Sequence, residues 1–180
     1  VGTVKIAQSL GQERLQKWID RFGFGKPTGI DSPGEVPGLV LKSEDWSGVS
    51  ILNIPIGQGV GVTLTQLTRA YAAIANGGRL VTPHLVSRIG DEQVEPPPAP
   101  RVLNRKTARQ VDSMLRSVVS ADGTGEAAKI EGYEVAGKTG TANKINPETG
   151  EYDSRYVASF VGYVPADNPQ LLVAVVVDEP

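Results

Sequence analysis

Residues 132–139 read GYEVAGKT, and shifted by a few residues the same stretch reads GKTGTA. The first spelling is G-x-x-x-x-G-K-T, in which loop amides and a lysine cradle nucleotide phosphates. The second is K-T-G followed by Thr, a combination used in serine acyl transfer. The side chains at stake are the same in both: Lys138, Thr139 and Thr141, with Gly140 between the threonines.

Phosphate binding needs a strand that ends before the first Gly and a helix that begins at Lys-Thr, so that backbone N–H groups converge on the anion. The flanks supply neither. AAKIE before Gly132 is no apolar strand, and GTANKINPETG after Thr139 carries Gly, Pro and Gly too soon for a helix. LLVAVVVDE at 171–179 imitates the acid-ended strand of a nucleotidase, but motif letters without their context carry little.

Tyr133, Val135 and Ala136 lie inside the would-be loop and give it the alternation of a strand, expected to start at Gly132 and run through Ala142. In a strand, Lys138 and Gly140 face one way and Thr139 and Thr141 the other. Two hydroxyls at that spacing reach a single carboxylate lying along the strand edge. Lys138 adds positive charge beside it, and Gly140 removes a side chain where another element packs or a ligand passes. An edge N–H there can stabilise an oxyanion, and a peptide can add to the edge as a further strand. K-T-G alone is three common residues, so its neighbourhood must carry the identification.

The elements that would position this strand follow from periodicity. GQERLQKWIDRFGFG (11–25) puts Leu15, Trp18, Ile19 and Phe22 on one helical stripe ended by Gly23, with a short helix before it. Residues 25–44 form a Gly- and Pro-rich loop. Thr63 and Gln66 make a capping box that opens a second long helix, with Leu64, Leu67, Tyr71 and Ile74 inward and NGG at 76–78 as its stop. An extended connector spans 80–103. A helix over 104–121 turns Val111, Met114, Leu115, Val118 and Val119 to the core. Three strands fill 131–180, near 132–142, 155–165 and 170–179. The joining segments hold no helical crossover, so the sheet is antiparallel. The fold class is α/β in the α+β sense, helices plus an antiparallel sheet.

Composition narrows the function classes. Hydrophobic residues are 39% and charged residues 21%, the profile of a globular chain. A net charge of −2 without a basic run argues against nucleic acid. The absence of cysteine excludes disulfides and a thiol nucleophile, and the single His84 cannot build a histidine-rich metal site. The longest apolar run, LLVAVVV at 171–177, falls short of a membrane span.

DGTGEAAKIEGYEVAGKTGTAN resembles the K-T-G-T strand region of high-molecular-weight penicillin-binding proteins. NIPIGQGVGVTLTQLTRAYAAIANGGRLVTPHLV, YVASFVGYVPADNP, LLVAVVVDEP and the loop FGFGKPTGIDSPGEVPG are similar to further segments of that family, so the resemblance covers nearly the whole chain. It is nearer the class B, monofunctional type. The family uses Ser-x-x-Lys, Ser-x-Asn and Lys-Thr/Ser-Gly. Only the third is present: no Ser of the chain has Lys three residues on or Asn two residues on. The chain is therefore expected to be the C-terminal part of one β-lactamase/transpeptidase-like domain, with 1–79 from the helical subdomain.

The resemblance implies a D,D-transpeptidase that cross-links peptidoglycan stem peptides at D-Ala-D-Ala through a serine acyl-enzyme and is acylated by β-lactams. It gives Lys138 an electrostatic role beside the serine motifs. Thr139 and Thr141 bind the carboxylate, the Thr141 N–H forms half the oxyanion hole, and Gly140 and Asn143 line the site. It implies no metal, nucleotide or other cofactor. The expected partners are the rest of the domain and other cell-wall synthesis proteins. The expected location is the outer face of the bacterial cytoplasmic membrane, with an anchoring helix in the parent. This chain alone, lacking the serine, is expected to be inactive. The rival readings are a non-catalytic penicillin-recognising sensor or scaffold of the same fold and, more distantly, a P-loop NTPase.

Overall fold

The computed structural model describes residues 1–180. The chain divides into two compact units, one of residues 1–66 and 82–98, the other of residues 67–81 and 99–180.

In the first unit, α1 (Gly2–Leu10) and α2 (Gln12–Arg21) meet at Gly11, whose φ of 82° breaks the helical path. The sequence stop at Gly23 is real. Gly23 N–H donates to Asp20 O and Phe24 N–H to Ile19 O, the paired bonds of a Schellman end. The α2 stripe is shallower than its spacing implies. Gln16 is the buried residue, while Trp18 stays 37% exposed with the Arg21 guanidinium 5.1 Å from its ring centroid. A short helix α3 (Ser50–Asn53) precedes a one-turn 3-10 segment.

The loop from 25 to 44 is tied down by carboxylates. Glu35 accepts from the Thr28 N–H at 2.7 Å, the Thr28 hydroxyl at 2.5 Å and the Gly29 N–H at 2.9 Å. Asp31 accepts from the Leu85 and Val86 amides at 2.6 and 2.9 Å, which holds its carboxyl below the usual aspartate value. Leu39 and Gly61 exchange backbone hydrogen bonds, so of the glycines at 57, 59 and 61 it is Gly61 that lies against another stretch of backbone. The 80–103 connector holds an unforeseen hairpin, β1 (Arg88–Ile89) and β2 (Glu92–Gln93), turned at Gly90 with φ 60°.

The capping box forms as expected. Thr63 N–H donates to Gln66 Oε1 at 2.9 Å and Gln66 N–H to Thr63 Oγ1 at 3.1 Å. Gln66 does more: its Nε2 donates to Lys26 O and Pro37 O at 2.8 and 2.9 Å, and the residue is 2% exposed. It pins the irregular loop to the helix start.

The helix so opened, α4 (Leu64–Ala75), continues into the second unit. Its deepest residues there are Ala70 and Ala73, with Tyr71 and Ile74 packed on the core. Leu64, expected inward, is exposed. The NGG stop also ends as a Schellman turn, with Gly78 N–H on Ala73 O and Gly77 N–H on Ile74 O. Gly78 then accepts the Val102 and Leu103 amides on its own carbonyl, and Arg101 Nη1 donates to Gly77 O at 2.6 Å. A bridge between Arg79 and Arg101, and Leu80 N–H on Pro100 O, complete a backbone clasp.

Helix α5 (Arg105–Val118) starts at Asn104, whose side chain accepts the Thr107 N–H at 2.8 Å. Its core face is Ala108, Val111, Leu115 and the following Val119. Met114, expected inward, is exposed, because it sits one position off that i, i+3/i+4 row. The sheet is an antiparallel meander in the order β3 (Ala136–Ile145), β4 (Tyr152–Val164), β5 (Leu171–Asp178). The strand expected from Gly132 starts instead at Ala136. Gly132, at φ 80°, and an Ile130–Tyr133 bridge turn the chain first, and Tyr133 is exposed. The strand also runs three residues beyond Ala142.

Candidate functional site

Lys138, Thr139, Gly140, Thr141 and Asn143 all lie on β3, opposite Val161, Phe160, Ser159, Ala158 and Tyr156 of β4 in that order. No helix follows Thr139, and the strand continues to Ile145, so the geometry a P-loop requires is absent. β3 is an edge strand of its sheet, bonded to β4 on one side. The period of two places Lys138 and Gly140 on one face and Thr139 and Thr141 on the other.

The first face is the packed one toward its lower end. Ala136, Tyr163 and Leu115 are buried together. The Tyr163 hydroxyl donates to Asp112 Oδ1 at 2.7 Å, and Arg116 Nε donates to Asp112 Oδ2 at 2.8 Å. Arg116 also pairs with Glu134, whose carbonyl accepts the Ala166 N–H at 2.8 Å. Burial and this carboxylate push the Tyr163 phenol far above the ordinary tyrosine value. Partial burial would lower Arg116, but the bonds to Asp112 and Glu134 prevail and hold the guanidinium more firmly protonated. One polar chain therefore fastens α5 to β4 and to the residues that lead into β3.

Further up, Lys138 Nζ folds back to Thr139 O at 2.7 Å and lies 3.5 Å from Thr139 Oγ1. Gly140 stands where the Ser159 hydroxyl crosses, so a side chain there would displace it.

On the second face the Phe160 ring covers three glycines. A Cβ at Gly137 would come 2.5 Å from Phe160 Cζ, one at Gly162 2.7 Å from Cε1, and one at Gly125 3.5 Å from Cε2. Gly125 belongs to the loop that leaves α5, and its N–H is bound to Val118 O at 2.8 Å. This packing brings Thr124 to the motif, with its Oγ1 2.8 Å from Thr139 Oγ1. Thr141 is exposed farther along the strand. Asn143 is committed to β4, donating from Nδ2 to Asp153 O at 3.0 Å just before a register irregularity. Beyond it Lys144 reaches Asp178 at 3.0 Å and Glu179 at 2.8 Å, which raises its pKa and braces the far end of the sheet.

Sequence reasoning thus names the residues of β3 and misses their supports. Thr124, Ser159 and Phe160 have no motif of their own. The available signal was the density of glycine at 123, 125, 137 and 162, which marks a ring or backbone in close approach.

The site is thus a lysine-threonine-glycine-threonine edge strand on an antiparallel sheet backed by α5. The penicillin binding protein transpeptidase domain family matches residues 1–180, and the chain belongs to that family. Penicillin-binding protein PbpB of Mycolicibacterium smegmatis is 42% identical over 192 residues, covering 100% of this chain and 30% of that protein. PbpB of Mycobacterium tuberculosis is 43% identical over 192 residues, covering 100% of this chain and 28% of that protein. Among solved structures, penicillin binding protein 3 from Mycobacterium tuberculosis complexed with ampicillin superposes at a TM-score of 0.95 with 41% identity, covering 100% of this chain and 42% of that one. The same protein complexed with aztreonam gives 0.94 and 41%, covering 100% and 43%. The chain therefore spans about 30% of the length of the curated relatives it matches.

Proposed function

We propose that this chain supplies the carboxylate- and oxyanion-binding strand of a serine D,D-transpeptidase that cross-links peptidoglycan. The substrate is a stem peptide ending in D-Ala-D-Ala. A serine outside residues 1–180, in the parent protein, attacks its amide, D-alanine leaves, and an amine of a neighbouring peptide takes the acyl group. β-Lactams acylate the same serine. Thr139 and Thr141 hold the terminal carboxylate, the Thr141 N–H serves the oxyanion, and Lys138 supplies positive charge beside the reacting groups. Gly140 and Asn143 line the same strand. The observation that carries this reading is the K-T-G-T sequence on an edge strand in a chain that matches the transpeptidase family from end to end.

The same reading puts the protein on the outer face of the bacterial cytoplasmic membrane among cell-wall synthesis partners. No helix of the chain is long and apolar enough to cross a membrane, so an anchor would come from elsewhere in the parent. Fluorescent penicillin provides the test. The full-length parent should form a covalent adduct and residues 1–180 alone should not. An adduct mapped by mass spectrometry to a serine of this chain would refute the assignment. A parent that binds penicillin without acylation would leave a sensor or scaffold instead.

A further inference from the structure

We propose that Thr124, in the loop after α5, is a positioning residue that sets the proton direction of the Thr139 hydroxyl. The inference rests on the carboxylate-binding reading of Thr139 above.

A threonine hydroxyl has one proton and two lone pairs. Around Thr139 Oγ1 stand Thr124 Oγ1 at 2.8 Å and the Lys138 ammonium at 3.5 Å. The ammonium carries only protons to give, so it can occupy a lone pair and nothing else. The 2.8 Å contact allows either direction. If Thr139 donates to Thr124, its proton is spent and an incoming anion meets only lone-pair density. If Thr124 donates to Thr139, the Thr139 proton is left for the ligand. An anion at the strand edge selects the second arrangement, and the chain Thr124 to Thr139 to carboxylate polarises along its length. Lys138 on the other lone pair works in the same sense.

The loop is held firmly enough to do this. Gly125 N–H is bound to Val118 O at 2.8 Å and Gly123 N–H to Ser120 O at 2.9 Å. Gly123 lies so close to the Val118 carbonyl that no side chain fits there, and Gly125 lies against the Phe160 ring. Thr124 is thereby presented to Thr139 on the face of the sheet that carries the Phe160 ring.

The test uses the full-length protein with benzylpenicillin, separating the half-saturating concentration from the limiting acylation rate. Thr124→Val should raise the half-saturating concentration about fivefold, the scale of one neutral hydrogen bond, and leave the limiting rate within about twofold. Thr124→Ser should restore it. In a Thr139→Val background, Thr124→Val should add nothing. Wild-type values for Thr124→Val overturn the proposal, as does equal impairment of Val and Ser variants or an undiminished effect in the Thr139→Val background. If Thr139→Val alone binds penicillin normally, the carboxylate reading of Thr139 fails first and the relay with it.

Discussion

Gly140 on β3 and Ser159 on β4 are paired across the ladder, and the serine hydroxyl fills the space a side chain at 140 would need. Gly140→Ala should therefore force Ser159 to another rotamer and lower stability by about 1 kcal/mol, the cost of a single overpacked methyl with a movable neighbour. Ser159→Ala removes the obstacle, so the double variant should recover most of the loss. Urea denaturation of the four proteins in the cycle checks this. Additive losses would show that the two positions do not share the space.

Gly137 gives the contrasting case. A side chain there would meet the Phe160 ring and come 2.9 Å from the Val161 carbonyl, and neither has a cheap escape. Gly137→Ala should cost about 2 to 3 kcal/mol. Phe160→Leu should relieve part of that loss, while on its own it opens a cavity over three glycines. Thermal midpoints of the two variants and their combination decide.

Gln66 serves the capping box and two loop carbonyls from one side chain. Gln66→Ala should destabilise by about 2 to 4 kcal/mol, because Lys26 O and Pro37 O lose their donor in a buried place. Gln66→Glu keeps the acceptor for Thr63 N–H but aims a carboxylate at two carbonyls, so it should be no better than Ala. A Glu variant as stable as wild type would show that water replaces the amide.

Tyr163 predicts an alkaline sensitivity. Its folded pKa is raised by burial and by Asp112, so its contribution is present below the unfolded value, 10.0, and is lost as pH rises above that. Tyr71, also raised by burial, acts in the same direction. The denaturation midpoint should be flat through neutral pH and fall above about pH 10. Tyr163→Phe should be less stable at pH 7, having lost a hydrogen bond to Asp112, yet show a shallower decline. A decline as steep as wild type would assign the alkaline loss elsewhere.

Thr141→Ala in the full-length protein should slow acylation by penicillin roughly 5- to 150-fold, the loss of one charge-assisted contact. An unchanged rate would remove Thr141 from the carboxylate site.

What the sequence makes legible is what depends on neighbours in the chain. The Thr63–Gln66 box, both glycine stops, the Asn104 helix start and the period-two K-T-G-T strand are local arrangements, and each forms as its spacing predicts. The misses share another property. Tyr133 alternates with Val135 as a strand residue does, but the positive φ at Gly132 turns the chain before pairing starts. Met114 is apolar and adjacent to the true core row, so periodicity alone cannot set the helix rotation. The 88–93 hairpin has two residues per strand, too few to show alternation, and only Gly-Asp at 90–91 betrays it. The second task of Gln66, and the meeting of Thr124 with Thr139 across 15 residues, exist only after the chain has folded back.

The clasp that joins 77–80 to 100–103 gives the segment between them a particular freedom. Its two ends are stitched side by side by backbone bonds before and after the excursion. Once the ends are held, lengthening a loop adds only a slowly growing entropic cost. The exposed hairpin at 88–93, beyond the Leu85 and Val86 bonds to Asp31, should therefore accept inserted residues without unravelling the helices on either side. A protease nick at the exposed Gly90–Asp91 turn would sever the chain there yet leave the clasp intact, so the two pieces should travel together until denatured.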